Sequence, residues 1–169
     1  WLTGNYHVAQ IMFCRGLFVS IPLALLIWRS GGLRSLHTDN PKGHFIRALL
    51  VILGTFLFVS GLKYLTLTDA IAIAFAGPLF ITALAPSLLG EHVGWRRWIA
   101  VLTGFIGIVI IMRPGGSIFQ WAALFPLAAS LTGALRDILT RGMSATETSV
   151  ALLFYTSLGV VLASMVSLP

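Results

Sequence analysis

Charge is scarce in this chain of 169 residues: Asp and Glu together number five, Lys and Arg eleven, and all four types make up 9% of the sequence. Hydrophobic residues reach 57% and the mean hydropathy is +0.95. An ordinary soluble domain carries about 25% charged residues, so the composition excludes one and points to an integral membrane chain. Cysteine is nearly missing as well. The lone Cys14 excludes an internal disulfide, offers no metal-binding spacing and reads as a packed membrane residue. Neither HExxH nor GxSxG occurs, and His7, His37, His44 and His92 fall in or beside expected loops, where histidines ordinarily meet solvent. An intramembrane hydrolase therefore has no nucleophile, base or metal set to work with. No catalytic residue, cofactor or metal centre is expected.

Long apolar runs are what the chain does have. A spanning helix needs about 20 mostly apolar residues, and residues 70–90, 114–135 and 148–169 each supply that length without Asp, Glu, Lys or Arg. Three further spans are less clean: residues 8–28 contain Arg15, residues 45–65 contain Arg47 and Lys63, and residues 95–112 open with Arg96 and Arg97. The expected fold is an all-α integral membrane bundle, with six transmembrane helices in this chain.

The net charge of +6 does not mark a nucleic-acid partner, because the basic residues are scattered between apolar runs rather than gathered on one face. They report topology instead. Arg29, Arg34, Lys42, Arg47, Arg96, Arg97, Arg136 and Arg141 fall on one side of the membrane, and only Arg15, Lys63 and Arg113 on the other. The positive-inside rule puts residues 29–47 in the cytoplasm, so the first helix runs inward. That loop holds Gly31, Gly32, Asn40, Pro41 and Gly43, all turn formers. The opening WLTGNYH lacks the features of a signal peptide, and with Trp1 first and SLP last the chain reads as part of a longer protein. The other links are short, so consecutive helices lie antiparallel. Small residues in the third helix (Ala70, Ala72, Ala74, Ala76, Gly77, Ala83, Ala85) and Gly104 and Gly107 in the fourth permit close helix approach.

The third span carries the most informative irregularity. Gly77-Pro78 and Pro86 sit within an otherwise apolar helix, where proline removes a hydrogen bond and clashes with the carbonyl four residues back. In lipid such a break persists only where protein buries it or a wet cavity is lined by it, and discontinuous helices build the substrate sites of secondary transporters. From these residues alone, a kinked packing helix and a cavity wall remain equally open.

Residues 70–115, AIAFAGPLFITALAPSLLGEHVGWRRWIAVLTGFIGIVIIMRPG, resemble the end of the first repeat of the EamA family in the drug/metabolite transporter superfamily. The likeness rests on the Ala-rich helix with its central proline, the PSLLGE exit, the arginine pair, and a GxxGIV helix closed by RPG; Arg15 and GLKYLTLTDA also fit. The resemblance implies ten helices in two inverted five-helix repeats. This chain would hold the second to seventh helices, with residues 1–115 the first repeat lacking its first helix and residues 116–169 the truncated start of the second. Equivalent helices five apart must run in opposite directions, as the charge-derived topology has them.

The implied function is a secondary transporter that moves a small organic metabolite across the bacterial inner membrane by alternating access, with a channel or a non-transporting structural subunit as the alternative. EamA-like proteins are associated with amino acids, nucleotide sugars, riboflavin and S-adenosylmethionine, and ALRDILTR is similar to bacterial vitamin or S-adenosylmethionine carriers. The expected partners are the metabolite, the bilayer and, as an open option, a second copy of the chain.

Substrate-cavity candidates are Arg15, Tyr64, Phe75, Gly77, Pro78, Phe80, Arg136 and Tyr155. Arg15 is the most expensive of them, an intramembrane arginine costing at least about 2.5 kcal/mol, unless it snorkels to the nearby outer end. Asp137 and Arg141, four apart, are expected to pair while Arg136 points toward Thr132 and Thr140. The aromatics offer stacking faces for a planar or cationic solute, or plain packing. Gating or structural roles fall to Asp69, Pro86, Glu91, Asp137 and Arg141. Asp69 would cap the third helix with Thr68 or carry a coupling proton. Glu91 would tie a cytoplasmic loop to Arg96 and Arg97. Trp28, Trp95, Trp98 and Trp121 are expected at the headgroup level.

Overall fold

The computed structural model describes residues 8–90, 92, 94–112 and 121–166, and all of its regular elements are helical. Helix α1 spans Val8–Arg29, α2 Pro41–Gly61, α3 Leu67–Ala74, α4 Gly77–Leu89, α5 Trp95–Met112, α6 Leu124–Met143 and α7 Ser149–Val166. Short 3-10 turns at Gly32–Leu36 and Trp121–Ala123 precede α2 and α6. With α3 and α4 as halves of one interrupted helix, the described residues form six helices, and the fold is all-α as the composition requires.

Apolar length is distributed somewhat differently. Pro41–Gly61, Leu67–Leu89 and Trp121–Met143 are long and apolar enough to cross a membrane, while Phe18–Arg29 and Ser149–Met165 are shorter apolar helices. The fifth span is shifted most. Its expected start at Pro114 lies outside the described residues, and beyond the uncharged run the helix continues through Arg136, Asp137 and Arg141 to Met143. Large apolar side chains stay outward, with Phe18 74%, Trp28 78% and Ile110 67% exposed, as suits a surface meeting lipid rather than water.

Two compact units form, one from Trp1–Ile52 with Leu139–Pro169 and one from Leu53–Ile138. In the first, glycines let helices touch. Gly16 of α1 lies against the Val161 side chain of α7, and a Cβ built on Gly159 would sit 2.6 Å from that of Ala48. In the second, a Cβ on Gly54 would meet the Thr132 hydroxyl at 2.6 Å, and Gly104 faces Leu79. Gly107 has nothing within 4 Å of a built Cβ among the described residues. Hydroxyls inside the helices donate to carbonyls of the preceding turn, as in Ser20 to Gly16, Thr103 to Ile99 and Ser164 to Val160. Their hydrogen bonds are thereby met without water.

The third span breaks where its proline predicts. Phe75 N–H still reaches the Ile71 carbonyl, but Ala76 N–H tightens onto Ile73, and α4 restarts with Leu79 and Phe80 both donating to the Ala76 carbonyl. Pro78, near the start of α4, has no N–H to give the Ala74 carbonyl, which ends α3. Pro86 behaves otherwise: it lies inside α4, and the helix continues past it to Leu89. Gly90 then ends α4 with φ 66°, a left-handed conformation that glycine adopts without Cβ strain.

Candidate functional site: a buried polar knot and a broken helix

In the first unit, the loop between α6 and α7 is bound to the loop between α1 and α2 through Glu147. Its carboxylate accepts the Thr38 hydroxyl at 2.7 Å, the Asp39 N–H at 3.1 Å, the Asn40 N–H at 3.2 Å and His44 Nε2 at 3.3 Å. The Glu147 side chain is 1% exposed and that of His44 3%. The local sequence makes this cradle. Asn40 caps α2 by accepting the Gly43 N–H, Thr38 accepts the Asn40 N–H, and Pro41 fixes the first helical residue. The N–H groups of residues 39 and 40 thus converge at the positive end of α2, where an anion is favoured. Burial pushes the Glu147 carboxyl up, but the hydrogen bonds from Thr38, His44, Asp39 and Asn40 outweigh it and hold the group below the usual carboxylate range.

More contacts extend the knot. Thr148 caps α7 through the Ala151 N–H and donates its own hydroxyl to the Ser35 carbonyl at 2.8 Å. Tyr155 donates to the Leu36 carbonyl at 3.1 Å, and its ring lies 4.6 Å from that of His44. One turn further into α2, Arg47 donates to the Thr140 hydroxyl at 2.9 Å, the Thr156 hydroxyl at 2.7 Å and the Leu152 carbonyl at 2.5 Å. An open cleft of about 650 Å³ beside the knot is lined by Arg34, Leu36, His37, Thr38 and Tyr155.

These positions correct two expectations. His44 is a buried member of the knot rather than a solvent-facing loop histidine, because Glu147 supplies the partner that its burial demands. His37 and His92 are exposed, and His7 lies outside the described residues. Arg47 does more than report topology, since it joins α2, α6 and α7. Sequence reasoning missed Glu147, His44, Arg47 and Thr38 as a group. The available signals were an acidic residue alone in a short loop and an arginine at the mouth of an apolar run.

The second unit holds the interrupted span. Phe75 is exposed at the break, Gly77 has open space around a built Cβ, Pro78 is exposed and Phe80 half-buried. Tyr64 forms an aromatic group with Trp121 at 5.2 Å and Phe125 at 6.4 Å. Trp28, Trp95, Trp98 and Trp121 are all exposed. Thr66, rather than Thr68, caps α3: it accepts the Asp69 N–H and donates to the Asp69 carboxylate at 2.7 Å, because Asp69 stands three residues inside that cap. Arg136 does not turn away from Asp137 but binds it, through Nε at 2.8 Å and Nη2 at 2.6 Å. Arg141 is exposed in the last turn of α6, and Pro86 is half-buried in α4. The Arg15 side chain and Glu91 lie outside the described residues, and Cys14 is exposed rather than packed. Tyr155 belongs to the knot of the first unit, whereas Tyr64, Phe75, Gly77, Pro78, Phe80, Arg136 and Asp137 belong to the second. Among the described residues no three of His, Cys, Asp and Glu gather as metal ligands.

The family model for EamA-like transporters matches residues 1–113. The S-adenosylmethionine uptake transporter of Rickettsia prowazekii is 32% identical over all 169 residues, which cover 56% of that relative. Riboflavin transporters of Rhizobium johnstonii and Vibrio cholerae are 35% identical over 69% of this chain and 30% over 88%, covering 38% and 49% of their own lengths. The chain thus spans about half the length of these curated relatives, and no solved structure matches it. With apolar helices long enough to cross a membrane and a family model covering most of its length, the chain belongs to the EamA-like transporter family.

Proposed function

We propose that the full-length protein is a secondary carrier of the bacterial inner membrane that moves a small organic metabolite by alternating access, with S-adenosylmethionine the first substrate to test and riboflavin the second. The observation that carries the proposal is the break between α3 and α4 at Gly77-Pro78 in a chain of this family. Interrupted helices offer backbone groups and exposed side chains to a solute near the midplane, and repeats rocking about such a site give alternating access. The substrate order rests on coverage, since the likeness to the S-adenosylmethionine transporter extends over the whole chain.

In this scheme residues 1–115 are the first repeat without its first helix and residues 116–169 the start of the second. Tyr64, Phe75 and Phe80 present ring faces to a planar or sulfonium-bearing solute. Gly77 and Pro78 keep the helix open, while Arg136 supplies a polar contact. Asp69, Pro86, Glu91, Asp137 and Arg141 hold helix ends and loops in place. Arg136 meets an anionic group only by sharing or leaving Asp137, so a solute carboxylate would compete with a bond already made.

The test is uptake of a labelled metabolite mixture by proteoliposomes of the full-length protein, read by mass spectrometry against empty vesicles. Saturable movement of one compound class is expected. Non-saturable flux, or no flux from protein shown to be folded, would overturn the carrier.

A further inference from the structure

The geometry points to Glu147 as a latch that closes the inner end of the carrier. This inference rests on the carrier proposal above and names the contact that must open for solute to pass on that side. Among the described residues, the partners of the buried carboxylate come from residues 38–44, across from its own loop in sequence. The surrounding bonds cross in the same way, from Thr148 to Ser35, Tyr155 to Leu36, and Arg47 to Thr140, Leu152 and Thr156. Residues 35–47 belong to the first proposed repeat and residues 140–156 to the second. The knot is therefore a repeat-to-repeat contact at the end that the positive-inside rule puts in the cytoplasm.

Its chemistry suits a contact that opens and closes. Apolar packing is lost outright when water enters, but a carboxylate, two backbone N–H groups, a hydroxyl and an imidazole exchange their bonds for bonds to water, so the net penalty of opening is modest. The adjoining cleft, with Thr38 and Tyr155 in its wall, brings solvent to the edge of the knot. The closed state also carries a built-in bias toward opening. Among the described residues His44 Nδ1 is buried without a hydrogen-bond partner, and water reaching it on opening would satisfy it. Closed and open forms of such a contact can lie near balance, as alternating access requires.

The test uses the full-length protein with Cys14→Ser as background and Met143→Cys as reporter, since Met143 is 3% exposed and lies against Gly43 beneath the knot. The rate of labelling by a membrane-impermeant maleimide supplied from the cytoplasmic side is measured. Glu147→Ala should raise that rate about tenfold or more, the order that losing hydrogen bonds to a charged group gives. Glu147→Gln, which keeps the shape, should give a smaller rise in protein that elutes as the parent does. Separately, the pair Thr38→Cys with Glu147→Cys, oxidised to a disulfide, should stop solute exchange, and reductant should restore it.

Unchanged labelling in both Glu147 variants, or undiminished exchange through the cross-linked pair, would overturn the latch. Failure of the unmodified protein to exchange any solute would overturn the carrier while the labelling still decides the latch.

Discussion

The two compact units are held together by different chemistry. In the unit of residues 1–52 and 139–169, loops and helix ends are joined by directional bonds that converge on two ionised side chains, Glu147 and Arg47. In residues 53–138, polar contacts are mostly local, as between Thr66 and Asp69 or Arg136 and Asp137, and the notable features are a broken helix and exposed rings. The first arrangement specifies one geometry and fails sharply when a partner is removed. The second leaves aromatic surface exposed, as at Tyr64 and Phe75. A carrier needs both, a contact that defines a closed state and a site that is not already satisfied.

Removing the Glu147 carboxylate should have the largest effect of any single change. Glu147→Ala strands His44 and the N–H groups of residues 39 and 40, and a buried polar group left unsatisfied costs about 1–3 kcal/mol each. Thermal unfolding of the purified full-length protein checks it, and a loss no greater than for a surface substitution would place the stabilisation elsewhere. The sign of the pH dependence follows from the lowered pKa. A carboxyl held below its ordinary range adds stability above the unfolded value, and that stability is lost as pH falls through the folded value. The gap in melting temperature between the parent and Glu147→Gln should therefore be full at neutral pH and shrink only under acid conditions. A gap that stays constant down to strongly acidic pH would contradict the ionised carboxylate.

Arg47→Lys comes next. It keeps the charge but cannot reach Thr140, Leu152 and Thr156 with one planar group, so about 1.5–3 kcal/mol should be lost in the same unfolding measurement. Gly159→Val follows, at about 1–3 kcal/mol, because its Cβ would overlap that of Ala48. Gly107→Val, with open space, should change stability by less than about 1 kcal/mol, and equal losses at the two glycines would remove the packing explanation. The smallest effect on stability belongs to the broken helix. Pro78→Ala restores the N–H that α3 lacks, so the protein should insert and unfold much as the parent does while transport falls. Equal loss of insertion and transport would assign Pro78 to folding.

The membrane class, the helix count and the family were legible in the sequence, because apolar length and short links are local properties. The break at Gly77-Pro78 was legible for the same reason, since proline acts on its own turn. The knot was not. Glu147 and Thr38 are 109 residues apart and meet only after α1, α2, α6 and α7 have packed, so nothing in the loop TETS announces a partner. His44 and Arg47 misled for a related reason. Near a span end, a residue facing solvent and one facing a neighbouring helix look alike until the neighbour is in place. Arg136 turned toward Asp137 because an adjacent partner was within reach along the helix surface, despite the usual preference for partners three or four residues away.

The carrier is tested most directly by counterflow in proteoliposomes of the full-length protein. Vesicles are loaded with unlabelled S-adenosylmethionine, and a trace of labelled compound is added outside. Alternating access predicts a transient internal accumulation of label above the outside concentration, abolished by excess external substrate. Label that only equilibrates would indicate a channel, and no movement of S-adenosylmethionine or riboflavin through folded protein would contradict a carrier for these substrates.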